Sequence, residues 1–174
     1  HGEMLIKNGL CYPPHEVKYE QSIVAPAVNY LFQLYELTGK ILYLEEGKKQ
    51  LAVLVLFNGH QPDFHMYENA VRHWDGYWFG KYKNLGDTFP HYWSSLSGVA
   101  FREYEKITGE RSYGVKAENS LRGVLSMINS DGSASCAYVY PFMVNNVRCQ
   151  YADPWANDQD WALYYYLKEG KNYD

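Results

Sequence analysis

The densest group of residues that could act on a ligand lies between positions 72 and 80. Tryptophan and tyrosine rings in this segment can stack on the apolar CH faces of a sugar ring, and charged side chains can bond sugar hydroxyl groups. Gly76 and Gly80 would admit a close approach of backbone to a ligand. We therefore interpret the segment as a candidate pyranose site. Its candidate residues are Arg72, His73, Trp74, Asp75, Tyr77 and Trp78.

Asp75 is the candidate general acid of this segment. A carboxylate held against indole rings has its charged form disfavoured, which raises its pKa toward that of a usable acid. The alternative is structural: the aromatic rings pack the end of a helical bundle and Asp75 bonds to backbone. The residue types alone leave both interpretations open.

A second group of acidic and aromatic residues lies between positions 151 and 161. Asp158 is our choice for the partner carboxylate, and Trp155 is a candidate sugar-stacking ring. The structural alternative is that Asp158 or Asp160 caps the following helix by accepting from its free N–H groups. Asp153, directly before Pro154, is typical of a turn.

A third candidate carboxylate lies near the beginning of the chain. Glu16 and Glu20 are four residues apart, so they share one face if a helix begins there. Like charges at this spacing are mildly destabilising, which hints at a functional reason, although Glu16 in a first turn also suits the helix dipole. We hold Glu20 in reserve as the partner of Asp75.

Two reactions fit these residue types. Hydrolysis of a glycosidic bond needs two carboxylates that flank the bond, which Asp75 with Asp158 or Glu20 would supply. Elimination from a uronate instead needs a base near the acidic C–H and a positive group on the carboxylate. The candidates for that second chemistry are Arg72, His73, His91 and Tyr92.

Other ligand classes are disfavoured by composition. The formal net charge of −4 argues against a nucleic-acid surface, which would be basic. No apolar run approaches the roughly 20 residues that cross a bilayer. The six histidines show no HExxH or similar spacing, so we expect neither a metal nor another cofactor.

The elements that must position these residues are helical hairpins. Apolar residues recur at three- and four-residue steps over positions 16–58 and again over 92–129, each time interrupted by a Thr-Gly pair. Thr38–Gly39 and Thr108–Gly109 lie 70 residues apart. Such a repeat predicts an all-α fold of antiparallel αα-hairpins, with a third hairpin begun at residue 160.

Two long connections separate the predicted hairpins, at about 59–91 and 130–159. Connections of this length inside a compact domain are usually functional. Both leave from equivalent helix ends, so we expect them to lie on one face and to present Trp78 and Trp155 to a common groove. We treat residues 1–174 as one domain.

The sequence around the first turn, Leu34 to Glu45, resembles the repeat unit of the six-hairpin glycosidases, as does a tyrosine four residues after each turn glycine (Tyr43 and Tyr113). This resemblance implies an (α/α)6 toroid and a carbohydrate substrate. Members of that superfamily include hydrolases and relatives of polysaccharide lyases. The resemblance therefore implies a glycoside hydrolase as the main reading, with a polysaccharide lyase as the alternative.

A complete toroid of six hairpins has more helices than this chain provides. The chain also opens with His1 rather than Met. We therefore expect a C-terminal fragment of a longer enzyme, which completes its core with the missing N-terminal half or by self-association. The apolar residues expected to be left uncovered are Leu51, Leu54, Leu121 and Val124. A non-catalytic helical-repeat scaffold is a further alternative, although its connections should be poor in aromatic residues.

Overall fold

The structure is a computed structural model, and it describes residues 1–9, 21–55, 87–134, 137–140, 143–144, 146–148 and 159–169. Helices make up most of these residues. They are α1 (Gly2–Asn8), α2 (Gln21–Thr38), α3 (Ile41–Val55), α4 (Ser94–Thr108), α5 (Arg111–Gly123) and α6 (Gln159–Glu169), and a 3-10 helix (Val124–Met127) follows α5. The prediction of an all-α fold is confirmed.

The first Thr-Gly pair ends α2 and starts α3. Gly39 has φ +66°, a left-handed conformation that costs glycine little, and its N–H donates to the Tyr35 carbonyl at 2.7 Å. The Thr38 hydroxyl donates to the Leu34 carbonyl at 2.6 Å and accepts from the Lys40 N–H at 3.3 Å. One threonine thus satisfies a carbonyl of the ending helix and an N–H of the next.

The second Thr-Gly pair reproduces this geometry between α4 and α5. Gly109 has φ +76°, and its N–H donates to the Glu105 carbonyl at 2.7 Å. The Thr108 hydroxyl donates to the Tyr104 carbonyl at 2.8 Å and accepts from the Glu110 N–H at 3.2 Å. The 70-residue sequence repeat is therefore a repeat of structure, and each unit is an antiparallel hairpin.

Helices α2, α4 and α6 lie side by side and run in the same direction. Asn29 of α2 donates to the Leu96 carbonyl near the start of α4, and further along the Phe32 and Tyr104 ring centroids are 5.7 Å apart. Between α4 and α6, Lys106 and Glu169 meet near the carboxyl ends at 2.8 Å. The beginnings of α4 and α6 and the end of α5 therefore lie at one end of the bundle, which we call the connection end. The Thr-Gly turns lie at the other end.

The main core fills the space between the two hairpins. Leu51 and Leu54 of α3 are fully buried there with Phe32 of α2 and Phe101 of α4. Each such apolar side chain stabilises the fold by roughly 1.5–3 kcal/mol relative to leaving it exposed. A second, smaller cluster at the connection end contains Tyr92, Val124, Met127 and Ala162.

Self-association through an uncovered inner face, as expected above, is not supported by the residues named for it. All four residues are no more than 1% exposed. Leu51 and Leu54 lie in the core between the two hairpins, Leu121 packs against Gly98 within the second hairpin, and Val124 lies in the cluster at the connection end. The expectation of exposed apolar surface at these four positions is wrong.

Four short strands accompany the helices in the described residues. Strand β1 (Asp87–His91) pairs antiparallel with β2 (Ala137–Tyr140), and β3 (Met143–Val144) pairs antiparallel with β4 (Val147–Arg148). The β1–β2 pair joins parts of both regions predicted as long connections. Within the described residues, no helix combines the length and apolar character that spanning a membrane requires.

Candidate functional site

Most of the residues predicted for catalysis lie outside the described residues. This holds for the three carboxylates Asp75, Asp158 and Glu20. It also holds for the predicted substrate-binding residues Arg72, His73, Trp74, Tyr77, Trp78 and Trp155. Their roles stay predictions, as does the convergence of Trp78 and Trp155 on one groove.

His91 and Tyr92 are the two predicted residues that the structure does describe. His91 is the last residue of β1, and its backbone lies opposite Ala137 of β2. Tyr92 is 3% exposed, and its ring meets Trp93 edge-on at a centroid distance of 5.6 Å. Both residues directly precede α4, so the structure places them at the connection end.

The connection end is formed by three helix termini that pack together. Tyr92 before α4, Met127 after α5 and Ala162 in the first turn of α6 share one buried cluster. The first predicted connection ends at His91, shortly before α4, and the second ends at Gln159, where α6 begins.

A cleft opens between the three parallel helices, and we call it the inner cleft. Its volume is about 310 Å³, at the lower end of the range for small-molecule sites. It is lined by residues of all three helices: Pro26, Asn29, Tyr30 and Gln33 of α2, Leu96, Val99 and Glu103 of α4, and Tyr164, Tyr165, Lys168 and Glu169 of α6.

Tyrosine rings form the accessible part of the inner cleft. Tyr164 is 56% exposed and Tyr30 is 37% exposed. Tyr164 meets Tyr165 edge-on at a centroid distance of 5.4 Å, so its ring is supported from one side. Such a ring offers a fixed apolar face beside a hydroxyl group.

The charges around the inner cleft are paired with one another. The Lys106 ammonium donates to Glu169 at 2.8 Å and to Glu103 at 3.0 Å. Burial alone would lower the pKa of Lys106, but the hydrogen bonds to Glu169 and Glu103 outweigh it, and the pKa is raised above its ordinary value. Lys168 lies 3.7 Å from the other Glu169 oxygen. Two cations thus face two carboxylates.

Asn29 lies at the base of the inner cleft and is nine-tenths buried. Its Nδ2 donates to the Leu96 carbonyl at 3.3 Å, which ties α2 to α4. Its Oδ1 is buried and has no hydrogen-bond donor among the described residues. A buried acceptor in this state costs free energy on the order of 1–3 kcal/mol until a donor reaches it.

A second cluster of charged residues lies between α4 and α5, and its role is structural. Arg102 is buried and donates to Glu105 at 2.7 Å and to Glu118 at 3.5 Å. The bond to Glu105 lies within α4, and the bond to Glu118 joins α4 to α5. In the described part of the chain, no group of three or more His, Cys, Asp or Glu side chains is arranged to hold a metal ion.

The inner cleft was missed by sequence reasoning, although the sequence carries a signal for it. Positions 26, 29 and 33 line it from α2, and positions 96, 99 and 103, which are 70 residues later, line it from α4. Superposing the two repeats would have shown that this helical face carries a polar residue at its last position in both, Gln33 in α2 and Glu103 in α4. Tyr164 and Tyr165 would then have marked the third wall.

Comparison with solved structures finds a polysaccharide lyase. Its sequence is 54% identical to this chain, the TM-score is 0.78, and the match covers 98% of this chain. The match covers 25% of the lyase, so the chain spans about a quarter of the length of this relative. No protein-family model matches the chain, and no curated protein matches it.

This likeness identifies the chain as related to a carbohydrate-active protein. It agrees with the all-α hairpin fold, and it favours the lyase alternative over the glycoside hydrolase that was the main sequence-based reading. The six-hairpin glycosidases are not among the matches given by these comparisons.

Proposed function

We propose that this chain is part of a polysaccharide lyase that cleaves a uronate-containing glycan by β-elimination. The observation that carries the proposal is the 54% identity to a polysaccharide lyase along 98% of the chain. The TM-score of 0.78 supports a common fold for the two chains. Because the match covers a quarter of the lyase, the activity is proposed for the full natural protein.

The proposed reaction needs a base, an acid and a charge-neutralising group. The base removes the proton from C5 of the uronate, next to the carboxylate. The electron pair forms the C4–C5 double bond, and the glycosidic C4–O bond breaks. The departing oxygen leaves with that bond's electrons and takes up a proton from the acid. A positive group on the carboxylate lowers the barrier, because negative charge develops there.

We assign the proton-transfer role to His91 as the first candidate, since it lies where β1 meets α4 at the connection end. Tyr92, Arg72 and His73 are the further candidates for the base and for the positive group on the carboxylate. A histidine suits proton transfer because its ordinary pKa is close to neutral. The surrounding buried cluster of Tyr92, Met127 and Ala162 fixes the backbone before α4 and so supports such a residue.

The test uses the full natural protein and a panel of glycans that contain glucuronate, galacturonate or mannuronate. We expect ultraviolet absorbance to rise as the unsaturated uronate forms. We expect His91→Ala to lower kcat by about 10²-fold or more, because a positioned proton-transfer group contributes that much. The matched control is His1→Ala, since His1 is exposed in the structure and its neighbour Gly2 packs against Leu34 and Tyr43 near the first Thr-Gly turn, away from the connection end.

A panel in which no glycan gives the unsaturated product would refute the proposed reaction. Release of saturated sugars instead would support hydrolysis, with Asp75 and Asp158 or Glu20 as the carboxylates to test. Full activity of His91→Ala alongside wild-type product would remove His91 from proton transfer, and Tyr92 and His73 would be tested next.

A further inference from the structure

We propose that the inner cleft binds one sugar unit of the glycan, with Tyr164 as the stacking surface and with hydroxyl groups rather than charge as the recognised feature. The inference rests on the proposed function for the class of glycan. It adds a binding site at residues that the predicted catalytic segments do not include.

The composition of the inner cleft suits a sugar better than it suits another helix. A groove that receives a helix presents an apolar stripe. Here α2 contributes Gln33, α4 contributes Glu103 and α6 contributes Lys168 to the lining. Polar groups from three helices around exposed rings are the arrangement that binds a small hydroxyl-rich ligand, since rings give contact area and polar groups fix orientation.

Tyr164 is the residue placed to stack on a sugar ring. More than half of its surface is accessible, and the edge-on contact with Tyr165 restricts how the ring can turn. A ring that is already held in place loses little conformational entropy when a ligand binds. Tyr30, the other exposed ring, lies on α2 across the cleft and supplies a hydroxyl group.

Charge balance indicates how the ligand is recognised. Glu103, Lys106, Lys168 and Glu169 contribute two negative and two positive charges, and both cations lie within 4 Å of a carboxylate. A sugar carboxylate would have to compete with these pairs. Hydroxyl groups do not have to compete with these ion pairs, because they can donate to carboxylate or amide oxygens that still have free lone pairs.

Asn29 supplies a second, independent indication. It is nine-tenths buried at the base of the cleft, and its Oδ1 lacks a donor among the described residues. This oxygen is shielded from solvent in the ligand-free structure, so a side chain of the lining must shift before a sugar hydroxyl group can donate to it. The acceptor, the rings and the paired charges thus all favour a neutral, hydroxyl-bearing unit in this position.

The experiment compares two tyrosines of the same helix in the full natural protein. Binding of the oligosaccharides of the glycan panel is measured by calorimetry for wild type, Tyr164→Ala and Tyr166→Ala. Tyr166 is not in the cleft lining, so it controls for loss of a tyrosine from α6. We expect Tyr164→Ala to weaken binding about tenfold, as loss of one ring contact does, and Tyr166→Ala to leave it unchanged.

Equal binding by wild type and Tyr164→Ala would overturn the inference, as would equal losses in Tyr164→Ala and Tyr166→Ala or binding of no panel member.

The outcome for this site is separable from the outcome for the proposed reaction. Unsaturated product with an unchanged KM in Tyr164→Ala would overturn the sugar site and leave the lyase reaction standing. Selective loss of binding in Tyr164→Ala, with saturated product or none, would support the site and refute the reaction.

Discussion

Lys106 shows how a single side chain sets the geometry between two helices of this fold. Its ammonium group bonds to Glu103 on its own helix and to Glu169 on α6, so it fixes one edge of the inner cleft. Glu169 is 5% exposed, and two cations, Lys106 and Lys168, lie within 4 Å of it and offset the cost of burying its charge.

The raised pKa of Lys106 predicts a pH dependence of stability. A folded-state pKa above the ordinary value of 10.5 means that the stabilisation is fully present below pH 10.5 and is lost as the pH rises through the folded-state pKa. Since the Lys106 side chain is 44% exposed, solvent screening limits this contribution to less than about 1 kcal/mol. Urea unfolding on both sides of pH 10.5 measures it.

Lys106→Arg is the matched variant, because a guanidinium stays charged throughout this range. As the pH rises, we expect the free energy of unfolding of wild type to fall relative to that of Lys106→Arg. It should approach the free energy of unfolding of Lys106→Met. A constant difference between wild type and both variants would show that Lys106 does not titrate against Glu169.

The contacts of single residues such as Lys106 could not be predicted from the sequence. Glu169 and Lys106 are 63 residues apart, and no local pattern pairs them. The same holds for Asn29, whose burial depends on α4. By contrast, His91 and Tyr92 drew attention because of their types, yet the burial of Tyr92 in a hydrophobic cluster needed the structure.

At the scale of elements, the second hairpin depends on a close approach of α4 to α5. A Cβ atom added at Gly98 would lie 2.7 Å from Leu121 Cγ and 3.2 Å from the Ala117 carbonyl oxygen. Backbone cannot yield as a flexible side chain can, so the two helices would have to separate. The glycine therefore sets the distance between them.

We expect Gly98→Val to lower the free energy of unfolding by about 1–3 kcal/mol, the usual cost of overpacking. Ser112→Val is the control, since it adds the same branched side chain at an exposed position in α5. Urea unfolding followed by circular dichroism gives both values. A Gly98→Val protein as stable as Ser112→Val would contradict the close approach.

The hairpins were predictable because their signals are local. Thr38–Gly39 and Thr108–Gly109 form the same hydrogen bonds within a few residues of chain, and the apolar spacing on either side is that of a helix. The strand pair β1–β2 was not predicted. Its partners are about 50 residues apart along the chain, and short strands of this kind have no periodic pattern long enough to recognise.

At the scale of the whole molecule, one helix of each hairpin and α6 form a layer of three parallel helices, with a cleft along it and a cluster at one end. The sequence repeat predicted this order of helices. The reaction could not be predicted in the same way, because hydrolysis and elimination use overlapping residue types on similar folds. The likeness to a polysaccharide lyase is what favours elimination.

The most direct test of elimination is the fate of the oxygen of water. The full natural protein is incubated with a panel glycan that it degrades, in water enriched in oxygen-18, and the products are analysed by mass spectrometry. Elimination adds no water across the broken bond, so we predict unlabelled products whose masses sum to that of the starting glycan. Hydrolysis would place one labelled oxygen at each new reducing end, and that result would contradict the account.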